Sequence, residues 1–428
     1  MANEEPQPPS GPDRTPITAY EAIDPRPVRR WLIDQAAQLG YSVSEISATE
    51  FEDRYFDTPD WRFHRAGLSL RARAVEGRHL IEARPRSGGP QLASATASLD
   101  RGEAEDLLAC DGLLGERIRS LSGHDSLQEH FALRTRREVF LVSRAGADVA
   151  QLQLVTAAVP ARGNEPPLQV ARVELYDVQE GHSETLGAFL EAMQEGCRLR
   201  RSSGSIYESV LFALGDGPAP LPYVGGSEVS GAMTVAEVAY AVLRRHFQRW
   251  LLHDPGTRLG EDIEELHDMR VSTRRMRAAI KLFRPFLPAR ILSLNSELRW
   301  LAAALGEVRD LDVQLEQLEE WEESVDEQDR EALHVLAGDI ERRRVAARKR
   351  LLRALDSKRY ERLVDRVVRV LRQGPGKQPV EGRQPALGIA PQLIERKHRR
   401  IVKRGKRIDE SSPDAELHSL RIQCKGLR

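Results

Sequence analysis

The sequence predicts an α+β chain of two domains, an antiparallel β domain first and an all-α helical bundle second. Its 428 residues are 40% hydrophobic, enough to bury two cores. Up to residue 178, short runs alternate polar and apolar residues, the period of strands with one face in water. Beyond a Gly-, Pro- and Ser-rich stretch at 216–231, long segments with helical periodicity follow one another.

Residues 1–14 are rich in Pro, Gly and acid and read as a disordered tail. The β domain, 15–212, opens with a candidate strand at 17–22 and a helix at 25–39 with Val28, Trp31, Leu32 and Ala36 on one side. Strands are expected at 68–74, 79–85, 131–142, 149–155 and 170–178, then a helix at 186–212. Period-2 alternation puts Ser69, Arg71 and Arg73 on one face, and groups Glu82 with Arg84 and Arg134 with Arg136. Such a face is either a solvated outer surface or the charged lumen of a barrel. A linker, 213–231, leads to the helical domain, 232–428. Helices are expected at 234–252, 261–283, 289–305, 309–322 and 327–355, with Pro285 and Pro288 ending the second and a Gly/Pro-rich break at 374–391.

Composition removes several function classes. No apolar run approaches the roughly 18 residues of a membrane span, and the acidic, Pro-rich start is unlike a secretory signal, so a cytoplasmic protein is expected. Cys110, Cys197 and Cys424 have no CxxC spacing, which gives neither a disulfide framework nor a zinc site. His64, His79 and His246 have no His or Cys partner four residues on and read as ordinary surface or core residues. A net charge of −1 argues against a generic nucleic-acid binder, yet residues 396–407 hold eight Lys/Arg and no acid.

The strongest signal is a repeat: LHDMRVSTRRMR (266–277) and LHSLRIQCKGLR (417–428). Each sets His, Arg, a cation and Arg at offsets that fall within an arc of roughly 80° on a helix. His267, Arg270, Arg274 and Arg277 form one stripe, His418, Arg421, Lys425 and Arg428 another, and Met269, Met276, Leu420 and Leu427 occupy the core side. Like charges stacked at i, i+3 and i+4 repel, and an anionic ligand relieves that cost. Arginine forks match phosphate oxygens, and a stripe about 15 Å long suits a phosphate chain. Neither stripe contains an acid, Ser or Cys as base or nucleophile, which argues for binding over catalysis.

These segments, with LGEVRDLDV (305–313), resemble the CHAD family, the conserved histidine α-helical domain. The resemblance implies two four-helix bundles facing each other across a basic channel that binds inorganic polyphosphate, and association with polyphosphate granules. Carried over, the ligands are the eight stripe residues, with Lys281 one turn further and Arg399, Arg400 and Lys403 from the basic run. Because the family continues through further helices where this sequence stops, an incomplete second bundle with exposed apolar faces is expected.

RYFDTPDWRFHRAGLSLRAR (54–73) is similar to the CYTH-type triphosphate tunnel domain. That resemblance implies an eight-stranded antiparallel tunnel whose basic residues grip triphosphate and whose glutamates hold Mg²⁺. The family's E-x-E-x-K strand is reduced here to Glu21 in ITAYEAID, and RVELYDV offers Glu174 with Tyr176 where a second acid belongs. The expectation is therefore a non-catalytic tunnel without a metal site or cofactor, in which Arg71, Arg73, Arg84, Arg134 and Arg136 still bind phosphate. The function expected is polyphosphate binding. Its rivals are a Mg²⁺-dependent inorganic triphosphatase and a module for nucleic acid or an acidic protein surface, with oligomeric state left open.

Overall fold

The computed structural model describes residues 16, 18–22, 24–75, 77–86, 95–123, 125–159, 168–177, 186–202, 204–215, 217–218, 221–322, 324–376, 379–409 and 411–427. The expected tail at 1–14 and the candidate ligand Arg428 lie outside them. The chain divides into two compact units, Met1–Ala219 and Pro220–Arg428.

In the first unit the strands are β1 (Thr18–Ala22), β2 (Tyr41–Asp57), β3 (Leu68–Val75), β4 (Arg78–Pro85), β5 (Ala95–Leu99), β6 (Gln128–Arg144), β7 (Ala147–Val159), β8 (Leu168–Asp177) and β9 (Arg200–Arg201). They form one antiparallel sheet in the order β5-β4-β3-β2-β6-β7-β8-β1-β9, nine described strands where eight are expected. The helices are α1 (Pro25–Asp34), α2 (Arg62–Arg65), α3 (Ala104–Leu108), α4 (Gly112–Ser122), α5 (Gly187–Cys197) and α6 (Ile206–Leu214). The expected helix at 186–212 is two helices separated by β9.

One face of the sheet carries an apolar patch. Phe140, Val142, Leu152, Leu154, Val173 and Tyr20 pack there with Trp31 of α1 and Phe189 of α5. Trp31 meets Phe189 edge-on with centroids 5.1 Å apart, the arrangement favoured by ring quadrupoles. The opposite face is charged, and it is enclosed: Asp53, Glu82, Arg71 and Arg73 are all buried.

The second unit is helical: α7 (Val235–Leu259), α8 (Ile263–Leu282), α9 (Ala289–Leu292), α10 (Leu294–Glu322), α11 (Glu327–Leu355), α12 (Lys358–Gln373), α13 (Ala386–Gly405) and α14 (Asp414–Leu427). Its core gathers Tyr240, Phe247 and Trp250 of α7, Met269 and Met276 of α8, Leu298, Leu301 and Leu305 of α10, Leu351 of α11 and Val367 of α12. Helix α7 starts on a capping box in which Thr234 and Glu237 satisfy each other's backbone N–H groups. It ends at Gly260, whose φ of 70° is left-handed. A methyl there meets the Arg348 guanidinium at 2.0 Å, and that guanidinium donates to the carbonyls of Thr257, Arg258 and Leu259 that the helix end leaves open.

Two expected helices, 289–305 and 309–322, are the continuous α10 apart from the short α9. The second bundle implied by the resemblance is represented by α13 and α14, neither of which buries a side chain among the described residues. Helix α13 is anchored at its start, where Val235 N donates to Gln384 O at 3.0 Å and Ala386 N to Met233 O at 3.0 Å.

Candidate anion-binding sites

Helix α8 lies between α7 and α10 in the core of its unit, with Leu266, Met269, Met276 and Ile280 inward. This fixes where the basic stripe points. Arg274 and Lys281 are exposed, and His267, Arg270 and Arg277 half-buried. Arg270 reaches across to α10 and donates to Asp310 at 3.2 Å, over Gly306, where a Cβ would sit 3.6 Å from its Nε. Among the described residues, Arg274, Arg277 and Lys281 have no ion-pair partner. Among the same residues, His267 Nδ1 and Arg277 Nε are buried without a hydrogen-bond partner. A buried donor left unmatched costs about 1–3 kcal/mol, which an anion's oxygen would recover.

The second stripe sits on α14, where His418, Arg421 and Lys425 are exposed. Its packing partner is α13, with Lys397 Nζ donating to Gly426 O at 2.9 Å. Arg399, Arg400 and Lys403 are exposed on α13, and Arg399 is paired with Glu395 at 3.2 Å.

In the first unit, strand register assembles the enclosed charged face. Asp53 of β2 pairs across to Arg73 of β3, and Arg71 pairs with Glu82 of β4. Arg73 grips both Asp53 oxygens, at 2.6 and 2.8 Å, and Thr135 Oγ1 lies 3.3 Å from the same carboxylate. Glu82 is held by Arg71 and by Arg84 at 2.6 Å. On β8, Arg172 and Tyr176 both donate to Glu174 at 2.7 Å. Glu21 accepts from Ser209 at 2.6 Å and Ser202 at 3.2 Å.

Residues 28–208 match the CYTH domain family, and residues 241–428 match the CHAD domain family. The chain carries a CYTH domain followed by a CHAD domain. No curated protein matches it. Among solved structures, it is similar to the CHAD domain from the plant Ricinus communis, at 26% identity over 49% of this chain and 68% of that one, TM-score 0.39. It is also similar to PptA from Streptomyces chartreusis, at 20% identity over 46% and 73%, TM-score 0.37. A third is a Hippeastrum protein described as an adenylyl cyclase candidate with a dominant triphosphatase activity, at 14% identity over 48% and 96%, TM-score 0.29.

A CYTH fold implies Mg²⁺, and the residues of this CYTH domain do not fit it. A hard cation needs several oxygen ligands free to turn toward it. Here Asp53, Glu82 and Glu174 are each engaged by arginine, and among the described residues no group of three or more His, Cys, Asp or Glu converges.

Of the arginines expected on the CYTH charged face, Arg71, Arg73 and Arg84 are there. Arg134 and Arg136 are not. The β2–β6 register pairs Thr135 with Phe51 and Leu133 with Asp53, so Arg134 and Arg136 point to the opposite face, where Arg136 pairs with Glu50 at 3.1 Å. The residue that sequence reasoning missed is Arg137. It stands on the charged face over the Phe51 ring at 5.5 Å, with its Nε buried and unmatched.

This network makes the CYTH domain acid-sensitive. Burial raises the Asp53 carboxyl, but the Arg73 hydrogen bonds and the charges of Arg71 and Arg73 outweigh it and hold the group below its ordinary range. At Glu82 burial is likewise outweighed, by Arg71 and Arg84. Their stabilisation is therefore complete above the unfolded values of about 3.9 and 4.3 and is lost as pH falls through the lowered folded values. Urea titrations between pH 7 and 2.5 are expected to show the CYTH domain weakening below about pH 4. Asp53→Asn should be weaker at neutral pH and flatter in acid; an unchanged acid limb in that variant would remove Asp53 as a cause.

Proposed function

We propose that the CHAD domain binds inorganic polyphosphate along the α8 stripe, in a cytoplasmic setting that includes polyphosphate granules, while the CYTH domain acts without catalysis. The observation that carries this is the run His267, Arg270, Arg274, Arg277 and Lys281 on one flank of a core-packed helix, with two buried nitrogens unmatched among the described residues and Asp310 as the acid paired to it. A helix held by its own core presents these cations without reorganising, which lowers the ordering cost of binding. Guanidinium forks can each engage two phosphate oxygens, and successive residues follow a chain about 20 Å along the helix. Base stacking has little support, because no aromatic side chain belongs to the stripe.

Binding of long-chain polyphosphate to the full chain should weaken steeply with salt, with log K falling by about 0.7–0.9 per phosphate neutralised for each unit of log[salt]. Calorimetric titrations at three salt concentrations measure this slope, and affinity indifferent to salt would reject the mechanism. The triphosphatase reading is tested alongside, by phosphate release from tripolyphosphate with Mg²⁺. Release abolished by Glu174→Gln would restore that reading.

A further inference from the structure

Helices α7 and α8 run antiparallel, clasped where His253 Nδ1 lies 2.8 Å from Glu265 and its Nε2 3.5 Å from Asp268. Two turns back along α7, this pairing sets His246 opposite the turn of α8 that carries Arg275, whose charge acts on the imidazole. Arg245 and Arg249 flank His246 on its own helix; both are exposed, whereas the imidazole is half-buried. On α8, Arg275 stands about 100° around the helix from Arg274, so it belongs to the flank that meets α7. The stripe of the proposed function lies on the other flank, where Arg270 meets Asp310 of α10.

This second cluster is cationic and short of acceptors. Among the described residues, His246 Nδ1 is buried with no hydrogen-bond partner. Arg245 donates to the Ser227 carbonyl at 3.2 Å, and among the described residues Arg249 and Arg275 have no ion pair. The acids two turns along the seam, Glu265 and Asp268, are occupied by His253. Burial, and then the charges of Arg275, Arg249 and Arg245, push the imidazole down to about 4. It is therefore neutral at physiological pH and keeps one N–H donor.

We propose that Arg245, His246, Arg249 and Arg275 form a second anion site, on the α7 flank of α8, that takes a single phosphate group. The cluster spans about one helical turn, roughly 6 Å, which fits one phosphate and not a chain. Three guanidinium groups supply charge from two helices, and the imidazole supplies a donor from the floor. The phosphate is free orthophosphate or the end of a polyphosphate chain. The chain-end source rests on the proposed function above, and the orthophosphate source does not.

The test follows the His246 imidazole by NMR in the full chain, assigned with His246→Gln, as orthophosphate is added. An anion beside the ring favours its charged form, so saturating orthophosphate is expected to raise the His246 pKa by about one pH unit or more. Arg249→Gln/Arg275→Gln should lose that response, and Arg274→Ala/Arg277→Ala should keep it. An imidazole that responds to neither orthophosphate nor long-chain polyphosphate, or an equal response in the Arg249→Gln/Arg275→Gln protein, overturns the proposal. A response to long-chain polyphosphate with none to orthophosphate assigns the chain end as the ligand. If the stripe variant binds long-chain polyphosphate like the unaltered protein while His246 still answers orthophosphate, the stripe reading fails and this site stands.

Discussion

Replacing Arg274 and Arg277 together by alanine is expected to weaken polyphosphate binding by roughly 10²- to 10⁴-fold. A hydrogen bond to a charged group contributes about 1.5–3 kcal/mol net, so losing one strong contact from each residue costs about 3–6 kcal/mol. Neither side chain has an ion-pair partner among the described residues, and Arg274 is exposed on α8. The fold therefore loses little, and removing two of the stacked like charges eases repulsion within the helix. The salt slope should drop by about 1.4–1.8, the share of two phosphate contacts. Arginine-to-lysine replacement at both positions separates charge from geometry: the slope should persist while affinity falls, because an ammonium does not reproduce the planar fork. Undiminished binding by the double-alanine protein would move the site to α14, where Arg421→Ala/Lys425→Ala is the matching comparison.

That stripe was legible because helix periodicity is a local property. The offsets of His267, Arg270, Arg274 and Arg277 fix one flank whatever the helix packs against. Strand alternation was legible to the same extent: Arg71 with Arg73, Glu82 with Arg84, and Arg134 with Arg136 do share faces. Which face is enclosed depends on register between β2 and β6, some 80 residues apart in sequence, and alternation within one strand carries no information about it. Hence the sequence groups Arg134 with Arg136 but does not place them outside the enclosed face, nor Arg137 within it. The His246 cluster was illegible for a related reason. Arg275 comes to His246 through helix pairing, while in sequence His246 has neither a His nor a Cys at ligand spacing.

Helix boundaries failed where tertiary contacts overrode local propensity. The sequence suggested that α7 stops near 252, ahead of Pro255, yet it runs to Leu259. Proline removes one intrahelical hydrogen bond, a cost of about 3 kcal/mol in an isolated helix. Here the last turn is held from outside, by Arg348 on its open carbonyls and by Arg258 in a buried network. The sequence predicts separate helices at 289–305 and 309–322, and α10 runs on between them, with Arg270 over Gly306.

Arg258 also carries the largest stability effect expected in the CHAD domain. The side chain is 2% exposed, with Nε on Asp254 at 2.6 Å, a second ion pair to Asp356, and a hydrogen bond to Leu355 O at 2.9 Å. Tyr360 donates to Asp254 as well, and accepts from Trp250 Nε1 at 2.9 Å. Arg258→Met keeps much of the packing volume but leaves two little-exposed carboxylates uncompensated and a buried carbonyl open. Breaking a buried pair from one side costs about 3–5 kcal/mol, against a total domain stability of roughly 5–15 kcal/mol. The loss should appear in hydrogen exchange of α7, α11 and α12, with the CYTH sheet unchanged as an internal reference. Adding Asp254→Asn to Arg258→Met should cost less than the sum of the two single changes, since one removes part of what the other strands. A single-variant loss below about 1 kcal/mol would mean that water reaches these groups, and that packing around Trp250 and Phe247, not the ion network, holds the end of α7.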